Sequence, residues 1–194
     1  EMVTGIDLVK EQILVASGNK LSYKQKNIQN KGHSIECRIY AENGFNNFSP
    51  SIGQIIEIVY PHGLGVRMDE GIRAGQEITP FYDPLLGKLI TWGNTREIAL
   101  KKMERALKEL QIIGLESSVP FCLQFIKNKI FQEGKYSTHS LNEIKDQLLS
   151  DSLNEKEHLV ARISAVEAKY NSRMNLANNE YQKSKKNNWI NIKK

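Results

Sequence analysis

The sequence predicts an α+β domain, an antiparallel β-sheet with helices packed on it. Segments with strand patterning fall in the first half of the chain and helical segments in the second. That order is typical of α+β rather than alternating α/β folds. The strand-like segments are also short and separated by glycine-containing turns, which favours antiparallel hairpins. We expect residues 1–150 to form this domain and residues 151–194 a helical, basic extension.

The first half contains one predicted helix and several strands. Residues 4–17 have helical spacing of apolar residues, and Gly18 is expected to end this helix. Residues 33–41 alternate as in a half-buried strand, with every second residue apolar. Residues 54–60 and 66–69 are strand-like, and the apolar run 85–92 suits a buried strand. The inward positions expected in 33–41 are Ile35, Cys37, Ile39 and Ala41.

The second half is predicted to be helical. Asn94 and Glu97 resemble a capping box that opens a helix. The expected apolar stripe of this helix is Ile98, Leu100, Met103, Ala106, Leu107 and Leu110. Residues 118–130 and 140–149 predict two more helices. A last amphipathic helix is expected over 152–174, and its narrow apolar stripe must pack either on the body or on a partner subunit.

The charge distribution and composition disfavour nucleic-acid-binding and membrane proteins. Nine of the 27 Lys/Arg and five of the 22 Asp/Glu follow residue 150, so the body carries 18 basic and 17 acidic residues. A nearly neutral body disfavours a nucleic-acid-binding face, and the basic tail has few aromatic residues to stack on bases. The sequence shows neither an 18-residue apolar run nor a signal peptide. Cys37 and Cys122 lack metal-ligand spacing and are expected to be reduced thiols, which predicts a cytoplasmic protein. Together these observations predict that neither a membrane nor a nucleic acid is a partner.

The strand around residue 38 carries the most informative polar pattern. Glu36, Arg38 and Tyr40 share one face, opposite the apolar one. One interpretation is a solvated strand face with a weak ion pair. The other is an arginine on a rigid strand, oriented by the carboxylate of Glu36, that presents its planar fork to an oxyanion or phosphate. Periodicity favours neither interpretation.

A set of motifs, in order, resembles a known family over residues 1 to about 141. The segment resembles the C-terminal part of the biotin carboxylase component of biotin-dependent carboxylases, such as acetyl-CoA or propionyl-CoA carboxylase. The matching motifs are TGIDLVKEQI (4–13), GHSIECRI (32–39), FSPSIG (48–53), GVR (65–67), YDPLLGKLI (82–90) and WGNTREIA (92–99). The resemblance implies that the helix 4–17 belongs to the end of the family's ATP-grasp region, and residues after about 150 are expected to have no counterpart in the family core.

The resemblance implies roles for five residues. In that family, ATP and bicarbonate form carboxyphosphate, which carboxylates the ureido nitrogen of biotin. Arg38 is then expected beside the ureido oxygen and the carboxyphosphate as the catalytic residue. Glu36 either orients Arg38 or forms a simple surface pair, and Asp83 lies either near this site or only caps a turn. Leu64 and Arg67 match dimer-interface positions, although the family more often has an aromatic residue or proline at position 64; the alternative is a plain turn with an exposed arginine.

The resemblance also implies cofactors and partners. The family's metal-binding glutamates and phosphate-binding residues precede the stretch that matches Glu1, and the opening Glu1-Met2 leads us to expect a piece of a longer chain. The full enzyme would use ATP, Mg²⁺ and biotin on a separate carrier, whereas this chain alone is expected to bind none of them and to be inactive. Expected partners are the N-terminal ATP-grasp half, the biotin carboxyl carrier protein, a carboxyltransferase and a second copy, in a carboxylase of fatty acid biosynthesis. The alternative is a non-catalytic assembly or dimerisation fragment.

Overall fold

The computed structural model of the chain describes residues 1–144, 147–148, 160, 163–164 and 167. The chain divides into two compact units, residues 1–148 and 149–194. In the second unit the four described positions are helical, and most of the helix expected over 152–174 lies outside the described residues. Within the described part of the chain, no helix has the length and apolar character needed to cross a bilayer.

The first unit contains short strands and helices in an α+β order, as predicted. The helices are α1 (Leu8–Ala16), α2 (Arg96–Glu109), α3 (Val119–Lys127) and α4 (Lys129–Gln132), with a 3₁₀ turn at Gln25–Asn27. The strands are β1 (His33–Tyr40), β2 (Glu42–Asn43), β3 (Ser49–Pro50), β4 (Gly53–Gln54), β5 (Glu57–Val59), β6 (Val66–Glu70), β7 (Glu77–Ile78), β8 (Leu85–Gly93) and β9 (Gln111–Ile113). Residues 140–144 and 147–148 are helical within the predicted helix 140–149.

The central sheet has the order β1-β8-β6, and both pairings are antiparallel. Strand β1 alternates as predicted, because Ile35, Cys37 and Ile39 are buried while Glu36 and Arg38 are exposed. Shorter two-stranded pairs surround this sheet, namely β2-β3, β4-β7 and β5-β9. The antiparallel α+β fold predicted from the sequence is therefore confirmed.

Helix α2 covers the apolar face of the central sheet, but it begins one residue later than the sequence pattern suggested. Its N-cap is Thr95, whose side-chain oxygen accepts a hydrogen bond from the Ile98 amide at 3.3 Å. The predicted stripe is also rotated at its start, since Ile98 is 41% exposed and Ala99 is fully buried. The cause is the close approach of Gly93 in β8 to the start of α2. A Cβ on Gly93 would lie 2.7 Å from the Ala99 nitrogen, so this contact leaves room only for a small residue.

The helix predicted over 118–130 is two helices, α3 and α4. Asn128 separates them because its backbone is extended, with φ −65° and ψ 139°, and its side chain caps the Ile130 amide at 3.0 Å. Asparagine favours such local side-chain hydrogen bonds over the helix interior. A chain of aromatic contacts links α3 and α4 to the β2–β3 hairpin, through Phe45, Phe48, Phe121, Phe125, Phe131 and Tyr136.

Helix α1 is shorter than predicted and presents its apolar residues to the outside of this chain. It begins at Leu8 because the side chain of Asp7 caps the Lys10 amide at 2.9 Å. Leu8, Val9 and Ile13 are 52%, 59% and 62% exposed. The residue of α1 that is buried is Glu11, whose carboxylate accepts a hydrogen bond from the Ser22 amide.

Candidate functional site

The sheet face opposite α2 gathers charged side chains from three strands. Register places Arg38 of β1 directly across from Lys88 of β8, and Lys88 across from Asp69 of β6. Two residues further along β8, Ile90 is flanked by Glu36 of β1 on one side and Arg67 of β6 on the other. Directly opposed residues of antiparallel strands have Cβ atoms about 5 Å apart. The fold therefore concentrates cations and carboxylates on one rigid surface.

Arg38 is held on this surface but remains accessible. Its Nε lies 3.5 Å from Oε1 of Glu36, and 59% of the side chain is exposed. The hydrogen bond to Tyr40, and after it the bond to Glu36, raises the pKa of Arg38, so the guanidinium stays charged. A pair this long and this exposed contributes little to stability. It can still bias the direction in which the guanidinium points.

The backbone that carries Arg38 is fixed from behind by Ser118. The β1–β8 register shifts between Ile39 and Tyr40, which is a β-bulge. The Tyr40 amide donates to Oγ of Ser118 at 3.0 Å, and the Ser118 amide donates back to the Tyr40 carbonyl at 2.9 Å. Ser118 is 4% exposed and also donates to the Arg38 carbonyl at 3.4 Å. A bulge beside a functional residue is a recurrent way of aiming a side chain.

Asp83 lies in the turn that enters β8. The Ala41 amide donates to the Pro84 carbonyl at 2.8 Å, so this turn lies at the end of β1, beyond Tyr40. Oδ1 of Asp83 accepts from the Leu85 amide at 2.8 Å, which is the turn-capping role. The neighbouring Phe81 and Tyr82 are 85% and 84% exposed.

Leu64 lies in the turn that precedes β6, and Arg67 lies in β6 itself. Leu64 is 92% exposed. Arg67 is tied within the chain, since it donates to Oδ1 of Asp69 and to Oε2 of Glu1, both at 2.7 Å. The hydrogen bonds that Arg67 donates, to Asp69 first and then to Glu1, raise the pKa of Arg67, and the bond from Arg67 lowers the pKa of Glu1. The arginine is thus more constrained than a plain exposed side chain.

A cleft of about 460 Å³ separates the N-terminal segment from the charged sheet face. Its lining includes Glu36, Arg67, Asp69 and Lys88 from the sheet and Leu8 from α1. Among the described residues, no group of three or more His, Cys, Asp or Glu side chains converges as a metal site would.

Sequence reasoning missed two contributors to this surface. Lys88 lies in the run 85–92, and its outward position follows only when β8 is paired with β1 in the observed register. Ser118 lies 80 residues from Arg38 along the chain, and no local pattern signals their contact. For both residues the relevant information is tertiary.

Comparison with known proteins identifies the class to which this fold and surface belong. The family model of the biotin carboxylase C-terminal domain matches residues 36–143. The chain therefore belongs to the biotin carboxylase C-terminal domain family, as the sequence motifs suggested.

Similar proteins include components of carboxylases with several acceptors. A pyruvate carboxylase component of Methanothermobacter thermautotrophicus is 42% identical over 169 residues, which cover 86% of this chain and 34% of that protein. Biotin carboxylase 1 of Bacillus subtilis is 48% identical over 141 residues, 73% of this chain and 31% of that protein. The solved biotin carboxylase domain dimer of Hydrogenobacter thermophilus 2-oxoglutarate carboxylase is 42% identical, with a TM-score of 0.73 over 77% of this chain and 33% of that one.

The matched region covers most of this chain but only part of each relative. The chain spans about a third of the length of the curated relatives it matches. The family model ends at residue 143, but the 86% of the chain that aligns with the Methanothermobacter protein is more than residues 1–150 can supply. Part of the chain beyond residue 150 therefore has a counterpart in this relative, which the sequence motifs did not lead us to expect.

Proposed function

We propose that this chain is the C-terminal part of an ATP-dependent biotin carboxylase and that Arg38 is its catalytic residue. The observation that carries the proposal is the placement of Arg38. It projects from the exposed face of β1 in the central sheet, lies beside Glu36 and Tyr40, and is backed by a buried serine. The surface offers positive charge on a backbone that does not need to rearrange.

This placement suits the stabilisation of a developing oxyanion. Biotin supplies a ureido nitrogen that accepts the carboxyl group, and loss of the proton from that nitrogen puts negative charge on the ureido oxygen. A fixed guanidinium lowers the energy of that charge, because it requires no reorganisation as the charge develops. Lys88, directly across from Arg38, adds a second cation to the same face. Asp83, at the end of β1, is proposed to border the site in addition to capping its turn.

The proposed partners fit three surfaces of the chain. The exposed apolar side of α1, with Leu8, Val9 and Ile13, is proposed to pack against the ATP-grasp half that binds ATP and Mg²⁺. Leu64, at 92% exposure, and Arg67 are proposed to contact a second copy. The biotin carboxyl carrier protein is proposed to deliver biotin to the Arg38 face and then to a carboxyltransferase.

The cellular setting is part of the proposal. We propose an acyl-CoA acceptor in a cytoplasmic pathway of fatty acid biosynthesis. Relatives named for pyruvate, 2-oxoglutarate and propionyl-CoA show that proteins of this kind serve different acceptors. The free Cys37 and Cys122 are compatible with a reducing compartment.

Arg38→Ala in the complete carboxylase tests the catalytic assignment. Biotin carboxylation should slow about a hundredfold or more, as loss of one oxyanion donor commonly does. Bicarbonate-dependent ATP cleavage should fall less, and Arg38→Lys should restore only part of the rate because the site uses a planar fork. Lys108→Ala, on helix α2 behind the sheet, is the matched control and should retain the normal rate. Normal carboxylation by Arg38→Ala would remove Arg38 from the mechanism.

A complementation assay separates the enzyme from the alternative assembly fragment. The chain alone is expected neither to cleave ATP nor to carboxylate biotin, because phosphoryl transfer needs metal ligands and cationic phosphate clamps. Mixing it with an ATP-grasp half from a relative should restore bicarbonate-dependent activity. Stable association without activity would favour the assembly fragment instead. Leu64→Asp should shift a dimeric complex toward monomer in sedimentation equilibrium, and an unchanged mass would argue against that interface.

A further inference from the structure

Two cysteines lie together on the buried side of the strand that carries Arg38. Cys37 is the residue immediately before Arg38, points into the core and is 8% exposed. Cys122 lies in helix α3, is partly exposed, and packs against the same apolar cluster. The proposed function uses neither thiol.

The fold brings these thiols together at one core cluster. Ser118 joins the start of α3 to Tyr40 through the two hydrogen bonds described above, and the Cys122 amide donates to the Ser118 carbonyl at 2.9 Å. Cys122 therefore stands one helical turn beyond an anchor that is fixed to β1. Cys122 packs against the apolar cluster that contains Cys37, and each thiol shifts the pKa of the other. They are separated by 85 positions in the chain, so tertiary structure alone creates the pair.

We propose that Cys37 and Cys122 form a reversible intramolecular disulfide when the protein meets a peroxide, with Cys122 oxidised first and Cys37 as the resolving thiol. The partial exposure of Cys122 and the burial of Cys37 set this order, since the first oxidant must reach the sulfur from solvent. Their packing in one cluster then keeps the second sulfur near the one that is oxidised first.

The electrostatics favour the same order. The interaction with Cys37 is the largest influence on Cys122 and lowers its pKa, although burial of Cys122 opposes this shift. The interaction with Cys122, together with burial, raises the pKa of Cys37. Because the thiolate is the nucleophile, Cys122 is the more reactive of the two.

The chemistry balances with hydrogen peroxide as the oxidant. The Cys122 thiolate attacks one peroxide oxygen and breaks the O–O bond, which yields a sulfenic acid and a hydroxide that becomes water. The sulfur of Cys37 then attacks the sulfenic sulfur; the S–S bond forms, the S–O bond breaks, and the departing hydroxide takes the proton of Cys37 as a second water. Two thiols lose two electrons and two protons, and one peroxide is reduced to two waters. A dithiol reductant reverses the modification by exchange.

The disulfide would join the strand of the proposed site to α3. A sulfur–sulfur bond of about 2 Å is much shorter than a thiol–thiol contact, so β1 and α3 must approach each other. The position of β1, which carries Arg38, would therefore depend on whether the two cysteines are reduced or joined as a disulfide.

Peroxide titration of the purified 194-residue chain tests the proposal. The oxidised chain should lose the mass of two hydrogens, remain monomeric on a non-reducing gel, and yield a 37–122 cross-linked peptide that dithiothreitol removes. Cys37→Ala should instead accumulate a sulfenic acid on Cys122 that dimedone traps, whereas Cys122→Ser should leave Cys37 unreactive. Circular dichroism of each variant checks that it is folded.

A denatured sample provides the control for preorganisation. In urea the cross-link should form at least about tenfold more slowly than in the folded chain, because the two thiols are no longer packed in one cluster. Equal rates in both conditions, intermolecular disulfides alone, or dimedone adducts on Cys122 of the unmodified sequence without the cross-link would each overturn the proposal. If Cys37→Ala fails to fold, the order of oxidation is read from the wild-type chain by adding dimedone with the first peroxide equivalent, and adducts on Cys37 would contradict the assignment.

Discussion

Replacing Ser118 by alanine should loosen the strand that carries Arg38. Ser118 is 4% exposed, and its Oγ is the acceptor for the Tyr40 amide at 3.0 Å. The β-bulge at Ile39/Tyr40 displaces that amide from the regular ladder. Ser118→Ala therefore leaves a partly buried N–H without its acceptor.

The magnitude follows from the two hydrogen bonds that are lost. An unsatisfied buried donor costs about 1–3 kcal/mol, and the amide is only partly buried, so the lower half of that range applies. The bond from Ser118 to the Arg38 carbonyl is 3.4 Å long and adds little. We expect the free energy of unfolding to fall by about 1–2 kcal/mol. With a urea m-value of about 2 kcal/mol/M, the unfolding midpoint should fall by about 0.5–1 M.

Urea titration followed by circular dichroism measures this change, and hydrogen exchange locates it. The Tyr40 amide should lose protection in Ser118→Ala more than other amides of β1. Ser17→Ala is the matched control, because its hydroxyl donates to the Ile13 carbonyl at an exposed site. The control should stay within about 0.5 kcal/mol of the wild type. The reasoning is refuted if the two variants lose equal stability or if protection of the Tyr40 amide is unchanged.

Three further predictions probe packing, charge and backbone. Met103→Ala, at a fully buried position, should reduce the free energy of unfolding by about 2–5 kcal/mol in urea titration, whereas Ile98→Ala, at 41% exposure, should cost much less; equal losses would contradict the observed rotation of the stripe. The hydrogen bond from Lys108 lowers the pKa of Glu104, so this pair stabilises the fold above the ordinary carboxylate pKa and its contribution is lost as pH falls through the lowered value. Lys108→Ala should thus cost a few tenths of a kcal/mol at about pH 7 and nothing at about pH 2, and a cost that persists in acid would exclude the ion pair as its cause. Gly32→Ala should lower the thermal midpoint clearly, because its φ is +71° and an added Cβ would meet the Gly93 carbonyl; an unchanged midpoint would show that the turn can relax.

The sequence determined the fold class, the burial pattern of β1 and the family. Alternation at Ile35, Cys37 and Ile39 specified the inward face because successive side chains on a strand point to opposite sides. Six ordered motifs carried the resemblance that the family match over residues 36–143 then confirmed. The roles of Arg38 and Glu36 stay predictions of the same resemblance.

Tertiary structure decided what local periodicity does not encode. The pairing of β1 with β8 brought Lys88 opposite Arg38, and Gly93 rotated the start of α2 so that Ala99 rather than Ile98 faces the sheet. Register and close backbone approach are properties of two segments at once, so neither segment alone reveals them. The same holds for Ser118 behind Arg38, which is positioned by a strand bulge and a helix start that are distant in sequence and adjacent only in the fold.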